Sequence, residues 1–248
     1  MTLRVIGPET WNAYMNMALD EACMEAVGSG EAQPTVRFYE WQPSAVVIGF
    51  FQKLHNEVDF ELCRQKGIDV ARRISGGGAM YLDTMGEITY SFIVPQHLLP
   101  GDINECYRIV CQYIIDALDI LGIKSEFKPI NDIVVDGKKI SGNALTKSNG
   151  ACMVHGTLLY DLNLEDMFKV LKVGGEKISD KGIKSVEERV TCVKRHKQAD
   201  KEQVKNALIK AFSYHRNAEH GHWTEKELQR ARELAENKYK TEEWIFRR

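Results

Sequence analysis

Nothing in this chain is built to cross a membrane. No apolar run approaches the roughly 20 residues that a bilayer-spanning helix needs, and the N-terminus MTLRVIGPET has no signal-peptide profile. A soluble, cytoplasmic protein with no membrane partner is expected. An excess of charge of either sign is also missing: 33 basic and 35 acidic residues leave a formal net charge of -2. No global field draws a polyanion, so nucleic acid is not an expected partner. The six cysteines (Cys23, Cys63, Cys106, Cys111, Cys152 and Cys192) include no CxxC pair and no zinc spacing. Most fall in periodic apolar segments and read as reduced core thiols. Neither GxGxxG nor a P-loop is present. No repeat, low-complexity tract or linker divides the chain, and 248 residues at 44% hydrophobic content suffice for one large domain over residues 1–248.

What is there reads as interspersed strands and helices. Tyr14 to Val27 carries Met15, Ala18, Leu19, Ala22 and Cys23 at helical spacing. Thr35 to Trp41 and Ser44 to Phe51 read as strands around Gln42-Pro43, followed by a short helix from Val58 to Lys66 and a strand from Ile68 to Arg73. Glu87 to Val94 has strand composition, and Cys106 to Leu121 is a long apolar helix that Gly122 can close with a left-handed cap. A strand through Met153 to Leu159 and a helix near Leu164 to Leu171 precede a mostly helical last third. There Thr224 and Glu227 form a capping-box signature. Strict alternation is lacking, which points to an α/β (α+β) fold: a mixed β-sheet flanked by helices. His215, His220 and His222 lie in a polar stretch and read as a solvated loop.

Two segments carry chemistry. NDIVVDGKKISG, Asn131 to Gly142, centres on Asp136-Gly137, a dipeptide suited to a two-residue type I′ turn. Such a turn sets Val135 opposite Lys138, Val134 opposite Lys139, Ile133 opposite Ile140 and Asp132 opposite Ser141. Alternation then gives one core-facing side (Ile133, Val135, Ile140, with Lys138 at the tip) and one polar side carrying Asp132, Val134, Lys139 and Ser141. Asp132 and Lys139 come within roughly 7 to 8 Å on the diagonal, close enough to serve one ligand. The second segment, Arg72 to Gly78 (RRISGGG), follows a strand with three glycines that let the backbone approach a ligand. Its arginines can add bidentate anion contacts. Alternation puts Arg72 and Arg73 on opposite faces, so only one is expected to point at a ligand.

The joint order of RRISGGGAMYLD, Asn131-Asp132, GKKISGNA and HGTLLYDL resembles the lipoate-protein ligase A family, within the wider biotinyl/lipoyl ligase and octanoyltransferase group. RFY at Arg37 to Tyr39, GFFQ at Gly49 to Gln52 and the terminal KYKTEEW extend the resemblance over essentially the whole chain. It implies the catalytic-domain fold of that group and a two-step reaction. Lipoate and Mg-ATP give lipoyl-adenylate and pyrophosphate, and the lipoyl group then passes to a lysine of an acceptor protein. ATP and Mg2+ are the implied cofactors. Lipoyl domains of 2-oxoacid dehydrogenases and the glycine-cleavage H protein are the implied acceptors. Lys139 matches the family's active-site lysine, at the lipoyl carbonyl and α-phosphate, and Asp132 would serve magnesium or the nucleotide. The resemblance places Arg72, Arg73, Ser75, Gly76, Gly77, Gly78, Asn131, Ser141, Gly142, His155, Gly156 and Thr157 along lipoyl-adenylate.

Two departures accompany the match. Leu82-Asp83 stands where family members commonly carry His-Asp. The small C-terminal accessory domain of the longer ligases is not expected within these 248 residues, which makes a separate accessory ligase subunit a candidate partner. Two other readings stand beside the ligase. Octanoyl transfer from acyl carrier protein proceeds through a cysteine thioester. The stretches holding that nucleophile in related transferases correspond to Pro129-Ile130-Asn131 and Leu171-Lys172-Val173-Gly174, and neither contains cysteine, which leaves Cys152 as the candidate. A noncatalytic module that binds lipoyl-adenylate would need shape more than the Asp132 and Lys139 pair.

Overall fold

A computed structural model describes residues 2–172, 186–214 and 216–248. His215, Val173 and Gly174 fall outside these residues. The strands are β1 (Leu3–Trp11), β2 (Thr35–Trp41), β3 (Ala45–Ile48), β4 (Asp69–Arg72), β5 (Met80–Leu82), β6 (Glu87–Pro95), β7 (Glu126–Lys128), β8 (Asp132–Val135), β9 (Lys138–Ser148), β10 (Ala151–Leu159) and β11 (Ala218–His220). The helices are α1 (Ala13–Gly28), α2 (Leu54–Glu57), α3 (Phe60–Gln65), α4 (Ile103–Ile120), α5 (Leu164–Val170), α6 (Val193–His196), α7 (Lys201–Tyr214), α8 (Glu225–Leu234) and α9 (Glu242–Ile245).

Two mixed sheets form, as the interspersed pattern implies. The larger runs β11-β1-β2-β6-β10-β9-β8-β7, and the smaller runs β4-β3-β5. In the larger, β1 is parallel to β11 and β2, and the remaining pairs are antiparallel. Helices flank the sheet because its alternate residues face two different environments. Val36, Phe38, Ile88, Tyr90, Phe92, Cys152 and Val154 point into a core with Val110, Ile114 and Leu118 of α4 and Leu208 and Phe212 of α7. Their neighbours Arg37, Tyr39, Thr89, Ser91, His155 and Thr157 are equally buried on the opposite face. That second face is roofed by α1, by α8 and by the small sheet, with Met17, Trp41, Val47 and Leu82 in one apolar cluster.

Local sequence explains several boundaries. Asn12 caps α1 by accepting from the Met15 N–H, and Asp102 caps α4 by accepting from Glu105. Thr224 and Glu227 form the expected capping box at α8. Gly122 adopts φ +76° after α4, as a left-handed cap requires. The β3 strand stops at Ile48, short of the expected Phe51, because the Gly49 N–H turns to the Gln52 side chain and the Phe50 N–H to the Ser75 carbonyl. His220 and His222 are exposed.

Candidate active site

The hairpin turn forms as expected: Asp136 and Gly137 both adopt positive φ, 49° and 75°, as a type I′ turn requires. Val135 pairs with Lys138 and Val134 with Lys139. Beyond them the register shifts by one, so that Ile133 meets Ser141 and Asp132 meets Gly142. Ile140 is the extra residue of a β-bulge, which alternation alone does not anticipate. The bulge corrects the expected polar face. Ser141 pairs with the core residue Ile133 and is fully buried, and its Oγ has no protein partner. Gly142 takes its place opposite Asp132, and Lys139 folds across it. A Cβ at position 142 would lie 2.6 Å from both Cε and Nζ of Lys139. The ammonium therefore reaches the carboxylate directly, with Nζ 2.6 Å from Asp132 Oδ1 and both side chains about one-third exposed.

Beside this pair lies a cavity of about 220 Å3 between the two sheets. Strand order grades its lining. Tyr39 and Trp41 of β2, Met17 of α1, and Val47, Met80 and Leu82 of the small sheet make an apolar end. Across Thr89 of β6 the wall turns polar, with His155 and Thr157 of β10, Lys139 and Asn143 of β9, and Asn131 before β8. Among the lining residues the cations are Arg73 and Lys139, and no carboxylate lines the wall. An adjoining cavity, also about 220 Å3, shares Ala79, Met80, Lys139, Gly142 and Thr157 and extends to Asp83, Glu87 and Asp161. Glu87 is buried with Oε1 unpartnered in the protein, and burial pushes its carboxyl well above the ordinary range.

The triple glycine is shaped from within. Arg73 donates to the Gly76 carbonyl at 2.8 Å and the Gly78 carbonyl at 2.8 Å, and reaches Val47 O at 3.2 Å. Gly77 adopts φ +103°, and a Cβ there would fall 2.6 Å from Arg73 Nη2, so the loop curls round the guanidinium only as glycine. Burial pushes Arg73 down to about 10, which still leaves it cationic at pH 7. Arg72 has the other fate that alternation implies. It is fully buried outside the cavity, donating to the carbonyls of Gly49, Phe50, Gln52, Trp244 and Ile245. With its donors committed to carbonyls, Arg72 holds two chain segments together and does not face a ligand, contrary to its place among the expected contacts.

Gly77, Gly78, Asn131, Gly142, Gly156 and Thr157 line the cavity together with His155. Ser75 stands behind it, with Oγ 2.6 Å from His155 Nε2, and Gly76 lies under the Phe51 ring. His155 is a neutral group: burial, reinforced by the Arg73 charge, pulls it down to about 3. Asn131 and Asn143 brace each other, with the Asn131 side chain donating to Asn143 O and Asn143 Nδ2 donating to Asn131 O at 2.9 Å. Sequence reading missed Asn143 and the apolar end, Tyr39, Trp41 and Met17. Tyr39, within RFY, and Asn143, within GKKISGNA, enter the sequence reading only as part of the resemblance.

All six cysteines are buried and free, and none lines either cavity. Burial pushes Cys23, Cys63, Cys111 and Cys152 up to about 12, and raises Cys106 and Cys192 as well. Cys152 points to the α4 side of β10, away from His155. Among the described residues no three His, Cys, Asp or Glu side chains are grouped to hold a metal, and no helix is long and apolar enough to cross a membrane.

Fold and site together define a domain with a cavity between two sheets, apolar at one end and bounded at the other by an arginine-ordered glycine loop and a hairpin lysine. A family model described as the lipoyl protein ligase A/B catalytic domain matches residues 12–213; the chain belongs to that family. It is 30% identical over 266 residues to the octanoyltransferase LipM of Staphylococcus epidermidis, covering 96% of this chain and 95% of the relative. It is 36% identical over 245 residues to the lipoate-protein ligase A subunit 1 of Thermoplasma acidophilum, covering 94% and 92%. A chain from a structural analysis of that organism's bipartite lipoate protein ligase and its E2 lipoyl domain superposes with a TM-score of 0.87 at 35% identity, covering 99% of this chain and 96% of its own length. A lipoate-protein ligase A bound with ATP superposes with a TM-score of 0.86 at 33% identity, covering 99% of both chains.

Proposed function

We propose that this chain is the catalytic subunit of a lipoate-protein ligase, which activates lipoate with ATP and passes the lipoyl group to a lysine of a lipoyl acceptor domain. The observation that carries this reading is the composition of the cavity wall: two cations, no carboxylate and no cysteine. In the first step a lipoate carboxylate oxygen attacks the α-phosphorus of ATP, and the bond from that phosphorus to pyrophosphate breaks. Negative charge must be held on both partners while they approach, and Lys139 with the Arg73-ordered loop supplies fixed positive potential there. In the second step the acceptor amine attacks the acyl carbonyl carbon, and AMP leaves. Lys139 beside the carbonyl stabilises the oxyanion, and the apolar end excludes water from the anhydride. The adjoining cavity suits the adenosine part, with the buried carboxyl of Glu87, its Oε1 unpartnered in the protein, in the wall to meet a base.

Magnesium usually arrives on phosphates and takes only one or two protein carboxylates. Asp132, a single, partly exposed carboxylate at the polar end, fits that requirement, and the ion would neutralise phosphate charge when bound. A relative described as bipartite and studied with its E2 lipoyl domain supports lipoyl domains as acceptors and a separate accessory subunit as partner; the glycine-cleavage H protein is the second proposed acceptor. Cytoplasmic function accords with these partners.

The names of relatives such as the LipM octanoyltransferases favour a second reading, octanoyl transfer from acyl carrier protein. That route needs an accessible thiolate, and the buried cysteines with raised thiols offer none. One experiment separates the readings. Purified chain is given either lipoate, ATP and Mg2+ or octanoyl-acyl carrier protein, each with a lipoyl domain. Pyrophosphate release with lipoyl-domain labelling in the first mixture is the expected result; labelling only in the second would replace the ligase reading. Adenylate formation that appears only after an accessory subunit is added would place activation in the pair.

A further inference from the structure

Arg72 is a fully buried cation that the site chemistry does not use. It ends β4, an edge strand of the small sheet, and its carbonyl partners come from two segments: Gly49, Phe50 and Gln52 after β3, and Trp244 and Ile245 of α9. Trp244 closes the arrangement from its own side, with Nε1 donating to Arg72 O at 2.9 Å. Residues 49–52 in turn lie against the glycine loop. The Phe50 N–H donates to Ser75 O at 2.9 Å, a Cβ on Gly49 would fall 2.0 Å from Gly77 O, and the Phe51 ring covers Gly76. Trp244 is itself tied to α1, because Lys238, 4.2 Å from its ring centroid, and Tyr239 both donate to Glu21. A continuous line of contacts therefore runs from α1 through α9 to the loop that borders the cavity.

We infer that Trp244 and Arg72 are positioning residues, which press residues 49–52 against the glycine loop and so set the curl in which that loop meets an anion. Neither residue lines a cavity; both act through the backbone at Gly77 and Gly78, which do. The coupling is stiff because Gly49 and Gly77 meet backbone to backbone, with no side chain between them to absorb a shift. Only a planar fork of five donors can serve the carbonyls around Arg72, so lysine is not a substitute there. The kinetic consequence rests on the ligase reading, whereas the effect on anion binding does not.

The test compares two probes on the full chain by calorimetry: inorganic pyrophosphate, which reports on the loop, and lipoamide, the uncharged amide of lipoate, which reports on the apolar end. Trp244→Ala and Arg72→Lys should each weaken pyrophosphate binding by about tenfold, the scale of a small misplacement of charge-binding groups, and leave lipoamide affinity within about twofold. Amide hydrogen exchange in residues 76–79 should quicken in both variants. Trp244→Phe, which keeps the ring and loses the N–H, should show a smaller loss, and Glu243→Gln, an exposed change on the same turn, should show none. Equal weakening of both probes overturns the inference, because it marks a general loss of structure. So does unchanged pyrophosphate affinity in Trp244→Ala, which decides the matter if Arg72→Lys does not fold, and so does a failure of the unaltered chain to bind pyrophosphate. Pyrophosphate release from lipoate and ATP is measured separately on the unaltered chain. The expected split between probes without release would discard the ligase reading alone, and release without the split would discard the role of Trp244 and Arg72 alone.

Discussion

Lys139 owes its reach to a residue with no side chain. Because Gly142 leaves open the space beside the strand, the lysine lies across it and meets Asp132 at 2.6 Å. Lys139→Ala should lower the proposed adenylate formation by about two to three orders of magnitude, the loss expected for one charge-stabilising donor. Stability should change by no more than about 1 kcal/mol, because the pair is partly exposed and screened. Gly142→Ala puts a methyl group where Cε and Nζ now sit, and should lower the same rate by roughly an order of magnitude or more while lysine is retained. Pyrophosphate release and a thermal melt on both variants check the pair of statements.

His155 gives a prediction of opposite character. Its folded pKa of about 3 lies below the ordinary value of 6.5, so between those limits the unfolded chain binds a proton that the folded chain does not. This histidine therefore makes stability fall as pH drops below 6.5, by at most about 1.4 kcal/mol per pH unit, until its folded pKa is reached. Denaturant midpoints for the unaltered chain and His155→Gln at pH 5 and pH 7.5 should show a shallower fall in the variant.

At the scale of elements, the hairpin marks what pattern reading reaches and where it stops. Turn chemistry is local, so Asp136-Gly137 announced its conformation and brought Asp132 and Lys139 to one face. The bulge at Ile140 is set by packing against the core and by the pairing of Ser141 with Leu158 of β10, and nothing in the hairpin's own alternation marks it. A second turn of the same kind was legible but passed over. Asn149 and Gly150, at φ 52° and 76°, join β9 to β10 and so carry His155 to the cavity. The second face of the large sheet was harder to read, because Arg37, Thr89 and Ser91 are polar residues inside otherwise apolar strands: Arg37 and Ser91 bond to Asp20 of α1, while Thr89 lines the cavity. Arg72 shows the same limit: its sequence position beside the glycines suggested ligand contact, whereas its carbonyl partners come from segments about 20 and 172 residues away. Arg72→Lys, which loses the forked geometry, should speed amide hydrogen exchange in Gly49–Gln52 and Trp244–Phe246 together, with little change in the hairpin. At α8, Thr224→Ala should cost about 1 kcal/mol. Glu227→Ala should cost roughly 3 to 5 kcal/mol, because Glu227 also holds buried Arg4 through contacts of 2.6 and 2.8 Å. Chemical denaturation of the two variants ranks these costs.

At the scale of the whole molecule, the site chemistry and the thiols occupy different places. The polar face of the large sheet meets the small sheet and holds the cations, while Cys106 and Cys111 of α4 and Cys152 of β10 lie on the other side of the sheet and Cys23, Cys63 and Cys192 are buried elsewhere. That separation was partly legible: periodic apolar surroundings marked the cysteines as core residues, but only the sheet's two faces decide which side Cys152 takes. Alkylation needs the thiolate, and a thiol pushed to about 12, as Cys152 and Cys111 are, is almost entirely protonated at pH 7.5. The folded chain should therefore pass through iodoacetamide treatment with its mass unchanged and nearly all of the proposed adenylate-forming activity intact, and should take up six carbamidomethyl groups once urea exposes the cysteines. The outcome bears on the reaction as well as on packing. Rapid alkylation of one cysteine in the folded chain, with loss of acyl transfer in step, would expose a thiolate able to carry an acyl group and turn the mechanism towards a thioester. Inert cysteines with sustained activity leave Lys139 and the Arg73-ordered loop as the groups that meet the acyl head, and an activated anhydride in place of an enzyme-bound ester.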